Sequence, residues 1–204
     1  MTFIKKCKII LDTILKRKKL CYDNYKNRDP RLKKMKKGFK AIDFANWFLW
    51  YNEVQQVKET SDDNYDVYEG LTHLKIQKLL YYADGICLAV TDNPLFNEKI
   101  YAWPHGPVVK EVYEKLSVNG KNEISFNDKD WDTVQAMNEN ATLFDILVTT
   151  YDSYAGYTAW QLREKSHVVG GPWQVTVDTK GMQKEIEPKL IRDYFKRNVV
   201  QVDD

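Results

Sequence analysis

Trp131, Val134, Met137, Ala141, Phe144, Leu147, Tyr151 and Tyr154 follow one another at steps of three or four residues, with no Gly or Pro between them. That spacing lays one apolar stripe along a helix, whereas in a strand it would scatter the same residues over both faces. It predicts a single helix of about 24 residues. Asp128, Asp130 and Asp132 stand at its N-terminal end, where the helix dipole favours negative charge.

The other long segments share this period. Phe44, Phe48 and Tyr51, with Trp47 alongside, predict an aromatic-faced helix over residues 41–56. Ile76, Leu79, Leu80, Ala83, Cys87 and Val90 predict a second helix from Thr72, stopped by the turn cluster Asp92-Asn93-Pro94. Lys99 to Trp103 alternates like a short strand. Gly106 and Pro107 read as the cap and first position of a short helix carrying Val109, Val112, Tyr113 and Leu116 on one face. Thr158 and Gln161 have capping-box spacing and start a helix through about Ser166. Val168 to Trp173 then breaks the chain, and Pro188 opens a last helix that buries Ile191, Tyr194 and Phe195. The expected fold class is mainly α: one compact helical domain, at most a small β-hairpin, and a basic N-terminal extension.

That extension comes from the charge distribution. The net charge of +2 hides fifteen Lys and Arg against Asp12, Asp23 and Asp29 in residues 1–40, a net of +12, while the remainder carries −10. We therefore divide the chain into a basic arm (1–39), a helical domain (40–197) and a C-terminal tail (198–204). Ile4, Cys7, Leu11 and Ile14 recur at helical spacing, so residues 3–19 read as a basic amphipathic helix and Tyr22 to Gly38 as a linker. Lys16, Arg17, Lys18, Lys19, Lys33, Lys34, Lys36 and Lys37 are candidate contacts to nucleic acid or an acidic partner, and a membrane surface is a third possibility. A solvated arm drawn to its own acidic body explains the same composition. Both readings stay open at this stage.

With 204 residues, 43% of them hydrophobic, the chain can build a real core, which excludes collagenous, mucin-like and wholly disordered proteins. No apolar run reaches the roughly 18 residues of a membrane-spanning helix. Asp12 interrupts the stretch from Ile9 to Leu15, which lacks a small-residue cleavage site, so no secretory leader is expected. The three cysteines form no CxxC pair and fit a reducing cytoplasm.

Catalytic constellations are missing. His73, His105 and His167 lie in three separate elements without metal-ligand spacing, so separate capping or surface roles are expected and no metal or cofactor. Cys87 as nucleophile with His105 as base is conceivable, but Cys87 sits on the apolar stripe of its helix, where a thiol is inert. No phosphate-binding glycine loop occurs, and Gly170-Gly171 runs into Pro172-Trp173, which suits a rigid turn. What stands out is the number of aromatics near turns: Tyr81, Tyr82, Trp103, Tyr113 and Trp173, with His105, Gly106 and Pro107 among them. Such residues serve both cores and partner hot spots. As a group they are the candidate partner surface, centred on Trp103 to Pro107 with Tyr82 and Trp173 as neighbours.

These residues also carry a family resemblance. Leu71 to Ala83 (LTHLKIQKLLYYA), Pro94 to Trp103 (PLFNEKIYAW) and His105 to Tyr113 (HGPVVKEVY) resemble, in that order, the signature of the Panacea antitoxin domain. This is the SocA-like family, which includes phage-associated GepA-type proteins. Ala41 to Phe48 is similar to its first helix; Tyr157 to Leu162, His167 and Pro172-Trp173 are similar to its C-terminal half, ending near Tyr194-Phe195. The resemblance covers about residues 40–197 and leaves the basic arm unexplained; Pro104 before His105 is a local departure that stiffens the turn. It implies a non-enzymatic, cytoplasmic helical domain, encoded beside a toxin that it neutralises by direct binding. Delivery of the toxin to an AAA+ protease, as in the SocA branch, is implied equally. A nucleic-acid-binding regulator, or a mobile-element inhibitor of a host factor acting through residues 1–40, is the alternative function.

Overall fold

The computed structural model describes residues 38–59 and 70–200. The amphipathic helix and basic contacts expected in residues 1–37, the loop at Asp62-Asp63-Asn64 and the tail acids Asp203-Asp204 lie outside the described residues. What is described is mainly helical: α1 (Ala41–Glu59), α2 (His73–Thr91), β1 (Ile100–Trp103), β2 (Gly106–Val109), α3 (Lys110–Leu116), α4 (Trp131–Asn138), α5 (Ala141–Tyr154), α6 (Ala159–Ser166), α7 (Pro172–Lys180) and α8 (Pro188–Asn198). Two antiparallel strands make the hairpin. Among the described residues no helix is long and apolar enough to cross a membrane.

α2 organises the rest. Every residue from Lys75 to Val90 is buried, so this is a central helix without a solvent face. The stripe read from sequence is one side of a cylinder that is covered all round, by α1, α3, α5, α6, α8 and β2. Thr72 caps its start, accepting from the Lys75 N–H at 3.4 Å, and Asp92 ends it in the left-handed region at φ 60°. Gly85 lies directly beneath the Phe195 ring of α8, and a Cβ at that position would overlap the ring. The missing side chain is what lets α8 press against α2.

α1 packs its aromatic face inward. Trp47 is fully buried, stacks on Tyr51 at 4.8 Å and donates its indole N–H to Asn138 at 2.7 Å. Truncating a core tryptophan of this kind costs about 3–5 kcal/mol.

Three sequence expectations need correction. The single long helix over 131–154 is two helices, α4 and α5, broken at Glu139-Asn140. The break needs no Gly or Pro, because the Asn140 carboxamide accepts from the Leu143 N–H at 3.2 Å and caps a new helix. Pro107 does not open a helix: Gly106–Val109 is β2, and α3 begins only at Lys110. Pro172, read as part of a rigid turn, is the first residue of α7, with Gly171 at the cap. The capping box at Thr158 and Gln161 forms as expected, with bonds of 3.2 and 2.9 Å. In α8, Ile191 and Phe195 are buried and Tyr194 is half-buried.

Candidate partner-binding site

The hairpin turns at Pro104 and His105, between the paired residues Trp103 and Gly106. Both turn residues are exposed, and neither has a positive φ. Gly106 supplies the positive φ, +104°, that brings β2 back along β1. Space also dictates glycine here, since a Cβ would stand 2.7 Å from Lys78 Nζ and 3.0 Å from Ser166 Oγ.

Pro107 sits in β2 without breaking the ladder. Its partner Ala102 directs its own backbone groups the other way, donating to the Lys184 carbonyl at 2.8 Å and accepting from the Gln183 N–H at 2.7 Å. Ala102 and Pro107 are thus a non-hydrogen-bonded pair, where a proline removes no bond. The outer groups of β2 are met by two polar side chains of α2. Gln77 accepts from the Val109 N–H at 2.7 Å and donates to its carbonyl at 3.3 Å, while Lys78 Nζ donates to the Pro107 carbonyl at 3.0 Å. Lys78 is 1% exposed, and burial together with the nearby Arg163 charge pulls its amine down to about 7.

The aromatic residues divide into two sets. Trp103 is half-buried and packs on Tyr113 at 4.9 Å, and Tyr113 meets His73 at 5.6 Å. Trp173 donates its indole N–H to the Trp103 carbonyl and packs against His167 at 3.7 Å. His167 Nδ1 in turn lies 2.7 Å from the Arg163 carbonyl. Tyr81 and Tyr82 are elsewhere: Tyr81 packs on Phe195 at 5.5 Å, and Tyr82 stacks on Tyr154 at 3.9 Å. At 2% and 4% exposed, neither can reach a partner while α2 is folded. So the structure gathers Trp103, His105, Gly106, Pro107 and Trp173 in one place and leaves the two tyrosines in the core.

The hairpin borders a cleft of about 510 Å³ lined by Thr72, His73, Trp103, His105, Tyr113 and Lys121 among others. Tyr113 belonged to the aromatic group read from sequence, whereas His73 and Lys121 had no part in the sequence-based surface, and neither did the Gln77-Lys78 frame behind it. The one available signal was a Gln-Lys pair inside an apolar helix. Burial, then the Lys78 charge, lower the pKa of His73.

Chemistry of other kinds finds little support in the geometry. Cys87 is buried against Thr91, and burial pushes its thiol up to about 12. About 14 Å of helix separates it from Lys78, the residue that meets the hairpin, so the imagined pairing with His105 is not assembled. Among the described residues no group of three or more His, Cys, Asp or Glu side chains could hold a metal ion.

A family model described as the SocA-like antitoxin Panacea domain matches residues 76–174. That span runs from α2 through the hairpin to Trp173 and its neighbour in α7. The antitoxin SocA of Caulobacter vibrioides (strain NA1000 / CB15N) is 30% identical over 142 residues, covering 65% of this chain and 76% of that protein. No solved structure matches the chain.

Proposed function

Because the chain belongs to the SocA-like Panacea antitoxin family, we propose that it is a cytoplasmic, non-enzymatic antitoxin that neutralises a cognate toxin by binding it directly. The observation that carries this reading is the exposed Pro104-His105 turn, mounted on a buried frame of Gln77, Lys78 and Trp173. A loop held from behind by hydrogen bonds loses little freedom when a partner docks on it, which favours binding. Trp103, Pro104 and His105 form this contact face, with the buried Gly106 and Pro107 behind it and Trp173 as its internal brace.

Co-expression with the adjacent gene is the test. Direct neutralisation predicts restored growth and co-purification of the two proteins, with toxin abundance unchanged. Restored growth with toxin that disappears only in cells holding an active AAA+ protease supports delivery for degradation instead. If growth is not restored, the antitoxin reading fails.

The net charge of +12 over residues 1–40 favours one accessory role: nucleic-acid contact by the arm, through Lys16 to Lys19 and the lysines from Lys33 to Lys37. Binding to DNA that weakens steeply with salt, and is lost with the arm, supports that role.

A further inference from the structure

We propose that the cleft beside the hairpin receives an extended acidic segment of the partner protein, with an apolar side chain against Trp103 and Tyr113 and a carboxylate facing His73, His105 and Lys121. This rests on the reading of the hairpin as the partner surface and adds the chemistry of what enters it.

Shape comes first. A volume of about 510 Å³ lies within the usual range of binding clefts. A helix about 10 Å across would fill it in little more than one turn, whereas an extended segment can lay successive side chains into it. The wall is aromatic, from His73 through Tyr113 to Trp103, and aromatic walls hold apolar side chains with little entropic loss.

Charge then selects the segment. The lining contains two imidazoles and the Lys121 ammonium and no carboxylate. Behind the wall, the buried Lys78 adds positive field at His73. On the flanking chain the Glu123 carboxylate accepts the Gly70 N–H at 2.9 Å and lies outside the lining. A carboxylate complements a lining of two imidazoles and an ammonium, and a basic segment would be repelled by Lys121.

The test uses the full chain and a displayed library of random dodecapeptides. The selection should enrich Asp or Glu beside an aromatic or aliphatic residue. A synthesised winner should bind about tenfold or more weakly to His105→Glu and Lys121→Glu, and its own Asp→Asn form should lose as much. Those charge reversals lie at exposed positions and separate cleft binding from capture by the basic arm. With the peptide bound, His73 should titrate at higher pH, because a nearby carboxylate favours the imidazolium. The inference is overturned if no peptide is enriched, if the winners lack acids, if both reversals bind like the wild type, or if a thymidine dodecanucleotide rather than peptide moves His73. Peptides that occupy the cleft but never compete with the toxin would sink the antitoxin surface and leave the inference standing. Charge reversals that abolish rescue, with no acidic peptide selected, would do the opposite.

Discussion

The indole N–H of Trp173 meets the carbonyl of Trp103 at 2.8 Å, joining the outer end of β1 to the first turn of α7 across 70 residues of sequence. Trp173 is 6% exposed, so the bond is made largely out of water. Trp173→Phe keeps the ring packing on His167 but removes one of that carbonyl's two donors, leaving the Gly106 N–H across the hairpin. The expected cost is about 1 kcal/mol, read as a lower urea midpoint, together with faster amide exchange in residues 103–106. Unchanged exchange there would mean the hairpin is held by Gln77 and Lys78 alone.

Stability should depend on pH through two buried groups of α2. Lys78 falls from 10.5 to about 7, so between those values the unfolded chain binds its proton more tightly than the fold does, and stability rises with pH. Asp84 moves the other way, from 3.8 up to about 7 through burial, despite the stabilising Leu95 N–H bond. Between those values the folded chain holds the proton, and stability falls as pH rises. Thermal melts from pH 5 to 9 should therefore pass through a minimum near neutrality. Lys78→Met should remove the alkaline rise and leave the acidic side in place. Identical profiles for the variant and the wild type would contradict this.

Much of this architecture was legible in the sequence because the period of three and four survives wherever a helix has one apolar side. α1, α2, α8 and the capping box of α6 follow from spacing alone. α2 shows where that logic stops. The stripe does not show that the opposite side of the helix is covered as well, so Tyr81 and Tyr82 looked as suited to a surface as to a core. The break before α5 was hidden for another reason: Asn140 caps through its side chain within an unbroken apolar stripe. Pro107 was misplaced because its strand is satisfied from outside the hairpin, by Gln77 and Lys78, a tertiary fact with no local signature. Within the candidate site, Trp103 and His105 could be named from their turn. Tyr113 was in the same aromatic group, but His73 and Lys121 come from other elements, and only folding sets Tyr113 between His73 and Trp103.

Asn140 offers a direct check on the break. Asn140→Ala removes the bond to the Leu143 N–H and should cost about 1 kcal/mol in urea denaturation. The two helices should stay distinct, since Asn138 also anchors the Trp47 indole. A gain in stability or in helix content would show that the cap does not hold the break.

The boundary of the helical domain is tested by removing residues 1–38. Phe39, which packs edge-on to Phe44 at 6.1 Å, is the first apolar contact of the described core. The truncated chain should keep a cooperative melt near the wild-type temperature. Loss of cooperativity would place part of the core within the arm, at Ile4, Cys7, Leu11 and Ile14.

The central claim is that this chain neutralises its toxin through the hairpin turn, and the affinity of His105→Ala for the toxin encoded beside it tests that most directly. His105 is exposed, so the substitution should leave helicity and melting temperature as they are. Loss of a hot-spot contact of about 2 kcal/mol weakens binding roughly thirtyfold, and growth rescue should fail in step. The contrary result is wild-type affinity and rescue for His105→Ala, while substitution of the exposed Trp160 or Val169 on the α6 side abolishes both.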